Sequence, residues 1–126
     1  MVQVDISQLS GECNVWREKL RNYREEFNSD EAKLRQVAGQ PLSKEQLLQV
    51  EHLHNQFHIQ LINVHDLKQS IKAHDRKINF EKVAFNGSAN EESFSRHEHL
   101  FEEYQSLEQI LEGLRNEFND FLKKIQ

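Results

Sequence analysis

Four histidines stand within residues 50–65 of this chain, VEHLHNQFHIQLINVH: His52, His54, His58 and His65. Imidazole titrates near neutral pH and is a common metal ligand, so the spacing decides what chemistry such a row supports. His54 and His58 are four residues apart, which on a helix lets two rings reach one ion, and Glu51 precedes His54 by three to give an E-x-x-H-x-x-x-H string. His65 lies seven residues past His58, about 10 Å along a helix, too far to share an ion ligated at about 2.0–2.1 Å. At about 100° per residue His54, His58 and His65 share a boundary face, whereas His52 points to water. His97 and His99, two apart on a helix, face nearly opposite ways, and His99 has Glu103 one turn on as a local partner.

Carboxylate-bridged diiron bundles need two E-x-x-H units and two further glutamates from four helices. Glu51-His54 is the one such unit, so that chemistry and the related hemerythrin pattern are excluded.

The elements that position these residues read as helices. Ile6, Leu9, Cys13, Trp16, Leu20, Tyr23, Phe27, Asp30, Leu34 and Val37 alternate steps of three and four, a heptad stripe. It ends at AGQP, where Gly39 is expected in a left-handed stop and Pro41 bars continuation. Ser43 with Gln46 forms a capping box, and Leu42 with Leu47 a hydrophobic staple, that open the second helix. Its stripe runs Leu47, Val50, Leu53, Phe57, Leu61, Val64, Leu67, Ile71, His74 and Ile78, wide enough to touch two neighbours. Asn86-Gly87 marks a second stop, with Ser88 and Glu91, or Asn90 alone, capping a third helix. Leu100, Tyr104, Leu107, Leu111, Leu114, Phe118, Phe121 and Ile125 form its stripe, with Lys123 and Lys124 opposing the dipole.

The expected fold is therefore all-α: one domain over residues 1–126, an antiparallel up-down-up three-helix bundle with coiled-coil-like packing and helices near 5–38, 43–84 and 89–125. Each helix spans roughly 50–60 Å.

Folding back around Gln40 brings Asp30, the one charge in the first stripe, within a turn of Glu51 and His54. Two outcomes are expected of that level. Asp30 and His54 form a hydrogen-bonded polar layer that fixes register; alternatively Asp30, Glu51, His54 and His58 make a metal or pH-sensing site. About the second loop, His74 comes opposite His99, Lys72 opposite Phe101 and Glu102, and Arg76 opposite His97 and Glu98, so the basic run Lys68, Lys72, Arg76, Lys77 and Lys82 is read as ion pairing and not anion recognition. Trp16 and Cys13 occupy stripe positions and are read as packing, with no histidine placed beside Cys13 by local sequence. Tyr23 and Tyr104 are expected to bury their rings and keep hydroxyls at the edge.

The net charge of −5 and pI near 5.8 weigh against a nucleic-acid or anionic-membrane binder. One cysteine allows no internal disulfide, and neither a signal peptide nor a membrane span is apparent, which together point to a reducing cytoplasm. No glycine-rich phosphate loop, CxxC pair or local catalytic triad appears, so no enzyme and no cofactor are expected.

The segment EHLHNQFHIQLINVHDLKQSIKAHDRKI resembles a stretch of small, uncharacterised all-helical proteins of bacteria, which implies a bacterial cytosolic protein without assigning an activity. SIKAHDRKI and Trp16 also resemble the middle helix and first-helix tryptophan of spectrin-type repeats, but the helices are longer here and the third has no tryptophan. The expected role is a non-enzymatic structural or interaction module with a protein partner or a second copy. Ile59 and Ile62, off the main stripe, are either scattered surface residues or part of a dimer seam.

Overall fold

The computed structural model describes residues 6–84 and 91–125. Among them the chain forms three helices and no strand: α1 (Ile6–Ala38), α2 (Lys44–Ala84) and α3 (Glu91–Ile125). They make the expected three-helix bundle, with α2 packed against both α1 and α3. The second stop at Asn86-Gly87 and the caps proposed at Ser88 and Asn90 lie outside the described residues.

The core is the predicted stripe, heptad after heptad. Ile6, Leu9, Cys13, Leu20 and Phe27 from α1, Leu53, Phe57, Val64, Ile71 and Ile78 from α2, and Leu100, Leu111, Phe118 and Phe121 from α3 are all essentially inaccessible. At mid-height Phe57 makes edge-to-face contacts with Phe27 on one side and Phe118 on the other, centroids 5.2 and 5.3 Å apart, the arrangement that ring quadrupoles favour. This is one point where the three helices are knitted together.

The start of α2 is built as expected. The Ser43 N–H donates to Gln46 Oε1 at 2.9 Å, and the Gln46 N–H donates to Ser43 Oγ at 3.1 Å, a reciprocal capping box. The staple is one-sided: Leu42 is half-buried against the core, but Leu47 is exposed, since the stripe of α2 runs back from Leu53 through half-buried Val50 and Gln46 and leaves Leu47 beside it.

Gly39 does not adopt the left-handed stop. Its φ is not positive; α1 instead closes with two tight bonds, Gly39 N–H to Gln36 O at 3.2 Å and Gln40 N–H to Val37 O at 3.0 Å. Such three-residue bonds satisfy terminal carbonyls without a left-handed residue, and Pro41 then ends the helix.

Among the described residues the stripes carry six buried polar interruptions: Asp30, Gln60, His74, Glu81, Ser93 and His97. At the α2 midpoint Gln60 takes the buried position and Leu61 is only half-buried, since the sequence 57, 60, 64 keeps the three-four alternation. α1 and α3 run parallel, and residues 84 to 89 positions apart meet across that gap.

Candidate functional site

Two of the buried polar side chains, His74 and His97, meet the buried thiol of Cys13 at one level, one residue from each helix. Cys13 follows Leu9 and precedes Trp16 in the α1 stripe, His74 stands between Ile71 and Ile78 on α2, and His97 lies four residues after buried Ser93 and three before Leu100 on α3. The heptad register that fills the core thus aims all three inward. His74 Nε2 lies 3.0 Å from His97 Nδ1, and Cys13 Sγ lies 4.0 Å from the same nitrogen. The three donor atoms fall within 4.8 Å of one another.

The opposite edge of the His97 ring settles its tautomer. His97 Nε2 faces a Glu12 carboxylate oxygen at 3.3 Å; an acceptor needs a donor, so Nε2 carries the proton and Nδ1 the lone pair. His74 Nε2–H then donates to His97 Nδ1, and the second nitrogen of His74, Nδ1, is left buried with no partner among the described residues. Trp16 closes one side of the site, its ring 4.8 Å from that of His97 and stacked at 5.7 and 5.9 Å on Phe101 and Tyr104.

Burial sets the protonation of the layer. Desolvation, aided by His97 and Arg96, lowers the His74 pKa from 6.5 to about 4, so this ring is neutral near pH 7. Desolvation, with the nearby charges of Asp75 and Glu12, pushes the Cys13 thiol up to about 12. A thiol held protonated in this way is a poor nucleophile at neutral pH.

Other polar groups flank this layer. One turn toward the second loop Ser93 Oγ donates to Glu81 Oε1 at 2.8 Å. Beside the layer, Asp75 accepts from Ser10 at 2.7 Å and Asn79 at 3.1 Å and faces Arg17 at 3.6 Å.

The residues singled out from the sequence are placed differently. Asp30 does not meet His54: it accepts from Arg115 of α3, Nε at 3.0 Å and an Nη at 3.4 Å. His54 is exposed and has Glu31 at 3.9 Å instead, because Asp30, although near the level of His54, looks toward α3. The candidate ligands Asp30, Glu51, His54 and His58 therefore do not converge; the last three are exposed on α2. His52, expected to face water, is exposed but pairs with Glu117 at 3.0 Å. His74 meets His97 and not His99, which is exposed and paired with Glu103 at 3.1 Å as its spacing predicts. Tyr104 and half-buried Tyr23 donate their hydroxyls at the edge to Glu108 and Glu112, each at 2.7 Å.

His97 is the member that sequence reasoning missed. The third stripe reads from apolar Leu100 onward, yet continuing it backwards by three and then four gives His97 and Ser93, both buried.

A second feature lies on the outer face of α2. Its core uses two heptad positions, Phe57, Val64, Ile71 and Ile78 at one and Leu53, Gln60, Leu67, His74 and Glu81 at the other. Of its exposed apolar residues, Leu48, Ile62 and Val83 share a third heptad position and Ile59 and Phe80 a fourth, both opposite the core. Phe80 is 70% and Val83 85% exposed. No protein-family model, curated protein or solved structure matches the chain.

Proposed function

We propose that this chain is a non-enzymatic helical module that acts through protein contact, pairing with a second copy of itself along the outer face of α2. The observation that carries this reading is the register of Leu48, Ile59, Ile62, Phe80 and Val83. Of the six large exposed apolar residues of the described part of α2, five fall on these two heptad positions and Leu47 does not; a second coiled-coil seam accounts for that concentration and chance scatter does not.

An antiparallel pairing of two α2 helices, with the two-fold axis level with Ile71, sets Ile59 against Val83 and Ile62 against Phe80. The same alignment sets Asp66 against Arg76, acid against base, with Gln69 against Ala73 between them. A parallel in-register pairing would juxtapose Asp66 with Asp66 and Arg76 with Arg76, which disfavours it. Self-complementarity of this kind is what a two-fold interface requires.

The non-catalytic part of the reading is supported by the protonated, buried Cys13 thiol. The net charge of −5 weighs against nucleic acid. Among the described residues no helix is long and apolar enough to cross a membrane. A bacterial cytoplasmic setting goes with the reading on the strength of the lone cysteine and the resemblance of α2.

Sedimentation equilibrium tests the proposal. A dimer is expected whose association weakens with Ile62→Glu or Phe80→Glu. Asp66→Arg is expected to weaken it too, and the added Arg76→Asp to restore it. A monomer at all concentrations, or a dimer indifferent to these changes, overturns it.

A further inference from the structure

We propose that Cys13, His74 and His97 form a binding site for one zinc ion in the core of the bundle, independently of the pairing of α2. Each offers one donor atom, and all three already lie within 4.8 Å of one another. An ion with Zn–N of about 2.0–2.1 Å and Zn–S of about 2.3 Å in tetrahedral geometry holds nitrogens about 3.3 Å apart and sulfur about 3.6 Å from each nitrogen. The observed 3.0 Å between His74 Nε2 and His97 Nδ1, and 4.0 Å from Cys13 Sγ to His97 Nδ1, differ from those values by a few tenths of an ångström. The third pair, Cys13 Sγ and the His74 donor nitrogen, lies within 4.8 Å and closes by at most about 1.2 Å to reach the tetrahedral spacing, a movement that side-chain rotation supplies.

The surroundings fit the ion as well as the donors do. Glu12 accepts from the far nitrogen of His97 at 3.3 Å, the carboxylate–histidine–zinc arrangement that fixes the ligating tautomer and raises its basicity. His97 Nδ1 therefore already presents its lone pair to the other two donors. A divalent ion with one thiolate leaves a single positive charge, which the Glu12 carboxylate balances; a monovalent copper ion in the same place would be neutral with the thiolate and leave the Glu12 charge without a counterpart. The softness of a thiolate with two imidazoles excludes magnesium and calcium. Glu12, Leu9, Phe94, His97 and Phe101 line a surface cleft between α1 and α3, and the Glu12 side chain is 40% exposed, so the cleft gives the ion a route inward.

Two protons move on binding. The Cys13 thiol loses its proton to solvent as the Zn–S bond forms, and His74 shifts its proton from Nε2 to the unpartnered Nδ1, freeing Nε2 to ligate. The remaining coordination position is left to water. Without an ion, the two imidazoles and the thiol crowd on the single Nδ1 lone pair of His97 and leave His74 Nδ1 unsatisfied, a costly way to fill a core that apolar residues would fill better.

The test uses the full chain purified without a metal-affinity column, stripped with chelator and titrated with Zn²⁺ or Co²⁺ under a phosphine reductant. One equivalent of zinc per chain is expected, with a rise in Tm. Cobalt is expected to give tetrahedral visible bands and a near-ultraviolet thiolate band. The chain has one cysteine, so that band identifies Cys13 in the wild-type protein without a variant. Cys13→Ser is expected to remove the band, Glu12→Gln to weaken zinc binding about 10–100-fold, and His54→Ala with His58→Ala to leave binding intact. A folded wild-type chain with no thiolate band, zinc bound through His54 and His58 alone, or retention of copper(I) with zinc refused overturns the assignment.

Discussion

Asp30 and Arg115 bridge α1 and α3 through two hydrogen bonds, 3.0 and 3.4 Å long, and Arg115 reaches Glu26 as well at 2.9 Å. Burial disfavours the guanidinium charge, but the bonds and charges of Asp30, Glu26 and Glu112 outweigh it and raise the Arg115 pKa. The two parallel helices share no loop, so this bridge is a register pin between elements that the chain does not level for itself. Arg115→Met leaves the Asp30 carboxylate buried without its cation and should cost about 1–3 kcal/mol. Asp30→Leu combined with Arg115→Met should cost less than Arg115→Met alone. Urea unfolding of the three variants reads both.

His74 makes the stability of the metal-free protein depend on pH. Its folded pKa, about 4, lies below the ordinary 6.5, so between those values the unfolded chain binds the extra proton. Stability should rise with pH across that window, be fully present above about 6.5 and be lost as pH falls toward 4, by at most about 3 kcal/mol. The groups that face the ring are Cys13 on α1, Asp75 and Lys77 on α2, and Arg96 and His97 on α3. Chelator-treated His74→Leu should lose that component of the slope in denaturation followed at several pH values.

The aromatic contacts at mid-height should dominate the core. Phe57→Ala removes the ring that touches both Phe27 and Phe118 and should cost about 3–5 kcal/mol. Phe80→Ala, at an exposed position, should leave unfolding of the monomer nearly unchanged while weakening association. The contrast separates packing within the bundle from packing between bundles.

Ser43→Ala should remove the side-chain acceptor of the Gln46 N–H and cost about 1 kcal/mol. Thermal unfolding by circular dichroism measures it.

Much of the fold was legible because a heptad stripe is a local signal. The steps of three and four named the buried faces of α1, α2 and α3, and Ser43 with Gln46 named the start of α2. What local spacing did not carry was the level of one helix against another. Nor did it carry which neighbour Asp30 faces: it turns to Arg115 on α3, and Glu31 lies beside His54. A two-residue shift between α2 and α3 put His97 rather than His99 beside His74. Arg115, at the flank of its stripe, bore no mark of its tie to Asp30. The four histidines of residues 50–65 drew the eye by density, yet all are exposed. The two buried histidines were distinguished by stripe position alone, a sign that was readable for His74 and readable for His97 once the α3 stripe is run back past Leu100.

The convergence of Cys13, His74 and His97 in one buried layer is tested most directly by long-range proton–nitrogen correlation of the histidine rings in the metal-free protein. The chain has seven histidines. The structure predicts two rings, His74 and His97, each locked as the Nε2–H tautomer with slowly exchanging protons, and His74 still neutral well below pH 6. Seven rings with averaged tautomers, titrating together in the ordinary range, would contradict it.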